Sequence, residues 1–104
     1  MKERCFPCPI AKVAELLSDH WTLLILRDTL DTPKRFRELE HSLQGISTRT
    51  LTSKLKRLVE RGILEKVEDG HYMITPKGKD LRSILGEMAE YGKKHFNTPL
   101  NNTL

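Results

Sequence analysis

Three features of this 104-residue chain predict a mainly α domain with a small β-hairpin, an α+β arrangement. Five stretches carry apolar residues at helical spacing, and an Asp-Gly pair separates two short alternating segments. A glycine also stands in a tight break between a short helical stretch and a long one. The length suits one domain, residues 1–104, with an ordered core expected over about 8–96. Charged residues make up 31% and apolar types 38%, the balance of a folded chain rather than a disordered one.

Pro9 opens the first helix, where its missing N–H costs nothing, and Ile10, Val13, Ala14 and Leu17 continue it. Asp19 caps a second helix through Trp21, Leu24, Ile25 and Leu30, expected to be buried nearly all round. Asp31-Thr32-Pro33 ends it, because proline drives the preceding residue out of the α region. Phe36, Leu39 and Leu43 mark a short third helix, closed by Gln44-Gly45-Ile46. Ser47 caps a long helix through Arg61, and Gly62 stops it. Strands follow at about Ile63–Val67 and His71–Ile74, with Asp69-Gly70 expected to form a type I′ turn. Thr75-Pro76 restarts helix, and Leu81, Ile84, Leu85, Met88 and Tyr91 stripe it as far as Phe96, roughly 30 Å of rod. The polar tail from Asn97 is expected to fray.

The pair of helices from Phe36 to Arg61, followed by a hairpin, reads as a winged helix-turn-helix. Charge supports a nucleic-acid role. The chain carries +4 at pH 7. Lys34, Arg35, Arg37, Arg49, Lys54, Lys56, Arg57 and Arg61 stand against Glu38, Glu40 and Glu60, so this one segment holds the excess. On a helical wheel Leu51, Leu55, Leu58 and Val59 share one face, while Arg49, Ser53, Lys56 and Arg57 lie opposite. Arg49, Ser53 and Lys56 are the candidates for reading bases of double-stranded DNA in the major groove, with Thr48, Lys54 and Arg57 reaching bases or phosphates. Ser47 and Thr48 sit at the positive end of the helix, which favours a phosphate oxygen, and Lys34, Arg35 and Arg37 are positioning contacts. The hairpin is acidic: Glu65, Glu68 and Asp69 outnumber Lys66, so little affinity is expected from its tip.

The last helix is longer than a small core needs. Its stripe, together with Gly86 and Gly92, where another backbone could approach, suggests a two-fold homodimer that places two reading helices about one DNA turn apart. Leu23–Leu26 is the longest apolar run, too short for a bilayer, and no secretory signal precedes Pro7, so a cytoplasmic chain without membrane contact is expected. Cys5 and Cys8 would close only a tiny loop, consistent with thiols in a reducing cytosol. Their spacing is half a zinc site with no second half, so neither metal nor cofactor is expected. His20, His41, His71 and His95 are scattered, and no phosphate-cradling glycine loop occurs, which argues against an enzyme. A different class of function fits the same residues: a winged-helix interaction module whose basic face docks an acidic protein surface.

Cys8-Pro9-Ile10, Trp21-Thr22-Leu23-Leu24-Ile25-Leu26-Arg27, Arg35-Phe36-Arg37-Glu38-Leu39, Gly45-Ile46-Ser47 with Leu51-Thr52, and Tyr72-Met73-Ile74-Thr75-Pro76-Lys77-Gly78 occur in this order. Across about residues 5–96 the chain resembles the HxlR-type winged-helix regulators, within the MarR-like superfamily. The resemblance implies a cytoplasmic, homodimeric transcription regulator binding operator DNA, its dimer built from the first and last helices. That adds Ile10 and Val13 to Leu81, Ile84, Leu85, Met88 and Tyr91 as interface candidates. The hairpin is shorter and more acidic than in many such regulators. Some of them sense oxidants or electrophiles through the cysteine matching Cys8. The helix start after it, with Arg4 and Lys12 nearby, would favour the thiolate here.

Overall fold

The computed structural model describes residues 8–96. Cys5, Arg4 and the tail beyond Phe96 lie outside the described residues. Helices α1 (Pro9–Leu16) and α2 (His20–Thr29) lead into a two-residue strand, β1 (Lys34–Arg35). Helix α3 (Phe36–Ser42) and α4 (Thr48–Glu60) come next, then strands β2 (Leu64–Lys66) and β3 (His71–Ile74). A single turn, α5 (Pro76–Lys79), precedes α6 (Leu81–Phe96). The strands form one antiparallel sheet in the order β1-β3-β2, with Lys34 and Lys66 both opposite Tyr72.

The expected caps are present. Thr22 N–H donates to Asp19 Oδ1 at 2.8 Å, Thr50 N–H to Ser47 Oγ at 3.0 Å, and Gly78 N–H to Thr75 Oγ1 at 3.0 Å. Each satisfies a donor that the first helical turn would otherwise orphan, an effect worth about 1 kcal/mol. Gly45 and Gly62 end α3 and α4 with φ of +91° and +77°, a region open to glycine at little cost. The core joins Ile25, Leu26 and Leu30 of α2 and its end with Leu39, Leu43, Leu51, Leu55 and Leu58, and with Ile63, Leu64, Ile74 and Leu81.

Strand β1 adds a third strand to the expected hairpin; it exists because β3 supplies its partner. The hairpin turn is not type I′, since Asp69 does not adopt positive φ and Gly70 alone does, at +95°. Gly70 N–H donates to the Val67 carbonyl and Val67 N–H to that of His71, both at 2.9 Å. These bonds describe a three-residue loop with glycine in its left-handed position. The final helix is broken at Asp80, whose ψ of −15° falls short of the helical value near −42° and turns the chain. Its main part therefore has 16 residues, roughly 24 Å, rather than one 30 Å rod. Helix α2 is buried on one face through Thr22, Ile25, Leu26 and Thr29, while Leu23 and Leu24 stay half-buried. Val59 lies at the edge of the apolar face of α4 and is exposed.

Candidate nucleic-acid interface

Helix α4 owes its orientation to a split surface. Leu51, Leu55 and Leu58 are buried to within 1% and pin one side to the core. Opposite them Arg49, Ser53 and Lys56 are exposed, as the wheel predicts. The side chains of Arg49 and Ser53 bond to nothing else among the described residues. Lys56 has only a loose 3.9 Å approach to Glu60, with both side chains mostly exposed, an interaction too screened to hold it. Thr52 belongs to this face as well and escaped the sequence reading. Its signal was available, since it stands three residues after Arg49 and four before Lys56.

The other expected contacts divide. Arg37 is exposed at the start of α3, and Lys34 is half-buried in the sheet. Ser47 spends its hydroxyl on Thr50, donating to Thr50 Oγ1 at 2.9 Å, and Thr48 donates to Glu40 Oε2 at 2.9 Å. Arg35 is tied to the hairpin: its Nη1 donates to the Asp69 carbonyl at 2.7 Å. Lys54 and Arg57, both half-buried, bond back toward α1 and the start of α2. Lys54 Nζ lies 2.8 Å from Asp19 Oδ2, and Arg57 Nη2 donates to the Glu15 carbonyl at 3.0 Å. Burial raises the Asp19 carboxyl, but hydrogen bonds from Lys54 and Thr22 with the lysine charge outweigh it and leave it below the usual carboxylate range. Its contribution to stability is therefore present at neutral pH and lost as the pH falls through that lowered value.

The hairpin flanks α4 across a shallow groove of about 240 Å3, lined by Thr52, Lys56, Val59, Glu60, Lys66 and Tyr72. At its tip Asp69 is a structural acid. The His71 ring Nδ1 lies 2.8 Å from Asp69 Oδ1, and the His71 N–H donates to the same oxygen at 3.1 Å. Those bonds, with His71 and Arg35 charge, hold its carboxyl below the ordinary range. Glu68 has no such duty and is exposed. Glu68→Lys should therefore tighten binding to duplex DNA about two- to fivefold at 50 mM salt, with less gain at 200 mM. A gel-shift titration that showed weaker binding instead would mean that the native carboxylate makes a needed contact.

Candidate interface residues split in the same way. Ile10 at 79%, Met88 at 48% and Tyr91 at 61% are strongly exposed for apolar side chains, and Val13 and Ile84 are partly so. Leu81 is different: at 7% exposure it is part of the protomer's own core, with Leu85 packed half-buried beside it. Among the described residues outside the helix's own backbone, nothing lies within 4 Å of a Cβ placed at Gly86 or Gly92. Cys8 is half-buried at the N-cap of α1, and its carbonyl accepts the Lys12 N–H at 3.0 Å. Among the described residues no helix is long and apolar enough to cross a membrane.

Comparison with known proteins gives this geometry a lineage. Residues 16–99 match the family described as HxlR-like helix-turn-helix. An HTH-type transcriptional regulator of Mycobacterium tuberculosis is 33% identical over 96 residues, which cover 86% of this chain and 60% of the regulator. The chain thus spans about three-fifths of the length of that relative. YodB, an HTH-type transcriptional regulator of Bacillus subtilis, is 36% identical over 91 residues, 81% of either chain. Its quinone-bound crystal structure has a TM-score of 0.76 at 30% identity, covering 82% of this chain and 96% of YodB. A structure from Porphyromonas gingivalis W83, assigned to the MarR family, has a TM-score of 0.78 at 31% identity and covers 85% and 92% of the two chains. The exposed helix, its hairpin and the core beneath are those of a MarR-like winged helix-turn-helix, and the chain belongs to the HxlR-like helix-turn-helix family, whose relatives here are named transcriptional regulators.

Proposed function

We propose that this protein regulates transcription in the cytoplasm as a homodimer on a palindromic operator, each α4 entering a major groove. The outward face of α4 carries the proposal. Arg49, Ser53 and Lys56, with Thr52 between them, form an exposed polar strip backed by buried leucines. Arginine in such a place can donate two parallel hydrogen bonds to guanine, while serine and threonine serve base or phosphate. Arg37, exposed at the start of α3, and Lys34 are assigned to the duplex backbone as positioning contacts. The test is a titration against the intergenic DNA upstream of this chain's own gene and against random duplex, at two salt concentrations. Preference for the first with a steep salt slope is expected. Equal binding to both would favour the rival role, docking on an acidic protein surface.

The dimer reading rests on Ile10, Val13, Ile84, Met88 and Tyr91, which one protomer leaves in water. Met88→Glu should give a monomer by sedimentation at micromolar concentration while leaving protomer helicity intact, because Met88 is 48% exposed and lies outside the core cluster. A wild-type monomer at that concentration would remove the two-fold model.

A sensing role for Cys8 draws support from the quinone-bound state of YodB. Attack by the Cys8 thiolate on a quinone ring carbon forms a C–S bond. Uptake of one proton and a shift of the ring proton to oxygen then leave a hydroquinone thioether, with no further oxidant consumed. Position at the N-cap of α1, before Pro9, favours the thiolate through the helix dipole. Benzoquinone should release DNA from the wild type and leave the Cys8→Ser complex intact; equal release from both would end this role.

A further inference from the structure

We propose that Lys54 and Arg57 are positioning residues: they latch α4 at a set angle to the corner between α1 and α2, and touch no DNA. This rests on the DNA-reading role of α4 given above. Their side chains stand three positions apart on one flank of the helix and grip two sides of the same corner. Arg57 holds the last turn of α1 through the Glu15 carbonyl, and Lys54 holds the cap of α2 through Asp19. One bond fixes a distance, whereas two on different elements also oppose rolling of the helix about its own axis. The leucines beneath α4 set its depth, but apolar contacts resist rolling less sharply than directed hydrogen bonds do.

Asp19 is shaped for the task. Its Oδ1 accepts the Thr22 N–H, and its Oδ2 accepts from Lys54 at 2.8 Å and more loosely from the Thr22 hydroxyl at 3.2 Å. Both side chains of the pair are only about a quarter exposed, at 26% and 28%. Sending Lys54 to a phosphate would take the cation from a partly buried carboxylate and leave it to the Thr22 donors, so the lysine is poorly placed to leave. Helix α1 has no buried residue along its length and meets the core only through Leu16 at its end and Leu17 just beyond. The Arg57 bond is therefore among the few attachments that register α1 against α4. Since α1 also bears Ile10 and Val13, the latch links the proposed dimer seam to the reading face and sets how far apart two such faces stand.

The test uses the full chain and a duplex recovered from a random-sequence library by the wild-type protein. Affinity is measured across a salt series for Asp19→Asn, Lys54→Gln, their double variant, and Arg49→Ala with Lys56→Ala. Asparagine keeps α2 capped, so the first change removes the charge and not the helix start. Each single variant should weaken binding about three- to tenfold, and the double no further than either alone. The slope of log affinity on log salt should be unchanged in all three, and Lys54→Arg should restore affinity. A slope flattened by about one in Lys54→Gln, with Asp19→Asn equal to wild type or tighter, would overturn the latch, for the lysine would then be neutralising a phosphate. Unchanged affinity in both single variants would overturn it as well. If the Arg49 and Lys56 variant also binds normally, the DNA reading itself falls; if that variant fails to bind, only the latch does.

Discussion

Arg49→Ala combined with Lys56→Ala is expected to weaken binding to the specific duplex roughly a hundredfold or more. Each well-placed base contact is worth about 1–3 kcal/mol of discrimination, and two are removed together. Both side chains are exposed and neither supports the core, so the fold should survive. Alanine is also the better helix former, so helicity and unfolding temperature should hold or rise slightly. The loss should be much smaller on random duplex, where only backbone charge is read. Specific affinity within threefold of wild type would exclude this face as the reader.

Gly78→Ala is expected to cost about 3 kcal/mol of stability, read from urea unfolding at a fixed protomer concentration. A Cβ there would lie 2.8 and 2.9 Å from side-chain carbons of Ile74 and would press on the Ile63 carbonyl oxygen. Neither neighbour can yield easily. Ile74 is buried, and the Ile63 oxygen already accepts from Thr75 N–H at 3.0 Å and Thr75 Oγ1 at 3.1 Å. The turn α5 would have to lift off the sheet, taking Leu81 out of the core. Gly86→Ala provides the contrast. With open space around it in one protomer's α6, the change should add about 0.5–1 kcal/mol when measured in the monomeric Met88→Glu background, where no partner backbone stands over it. A Gly78→Ala protein within 0.5 kcal/mol of wild type would show that the packing is looser than these distances require.

What could be read from the sequence was local. Asp19, Ser47 and Thr75 act on backbone groups three residues away, and Gly45 and Gly62 act on their own dihedral angles, so each announces itself. The outward face of α4 was legible for the same reason: helical geometry alone places Arg49, Ser53 and Lys56 opposite the leucines. What escaped depends on distant partners. Strand β1 exists through His71 and Tyr72, and the Arg35 bond to the hairpin spans 34 positions. The intramolecular bonds of Lys54 and Arg57 were hidden because their partners, Asp19 and Glu15, lie 35 and 42 positions earlier. Leu81 looked like interface because an apolar stripe does not say whether its own core or a second chain covers it. Asp69 looked like a free acid, although it is spent within the turn that it closes.

Hydroxyl-radical footprinting on the upstream intergenic duplex tests the DNA-reading dimer most directly. Two protected segments related by a two-fold axis, with centres about 34–36 Å apart along one face of the duplex, are the expected pattern. Both should vanish in the Arg49→Ala, Lys56→Ala protein. Protection at a single site, or protection that persists without those two side chains, would contradict paired reading helices.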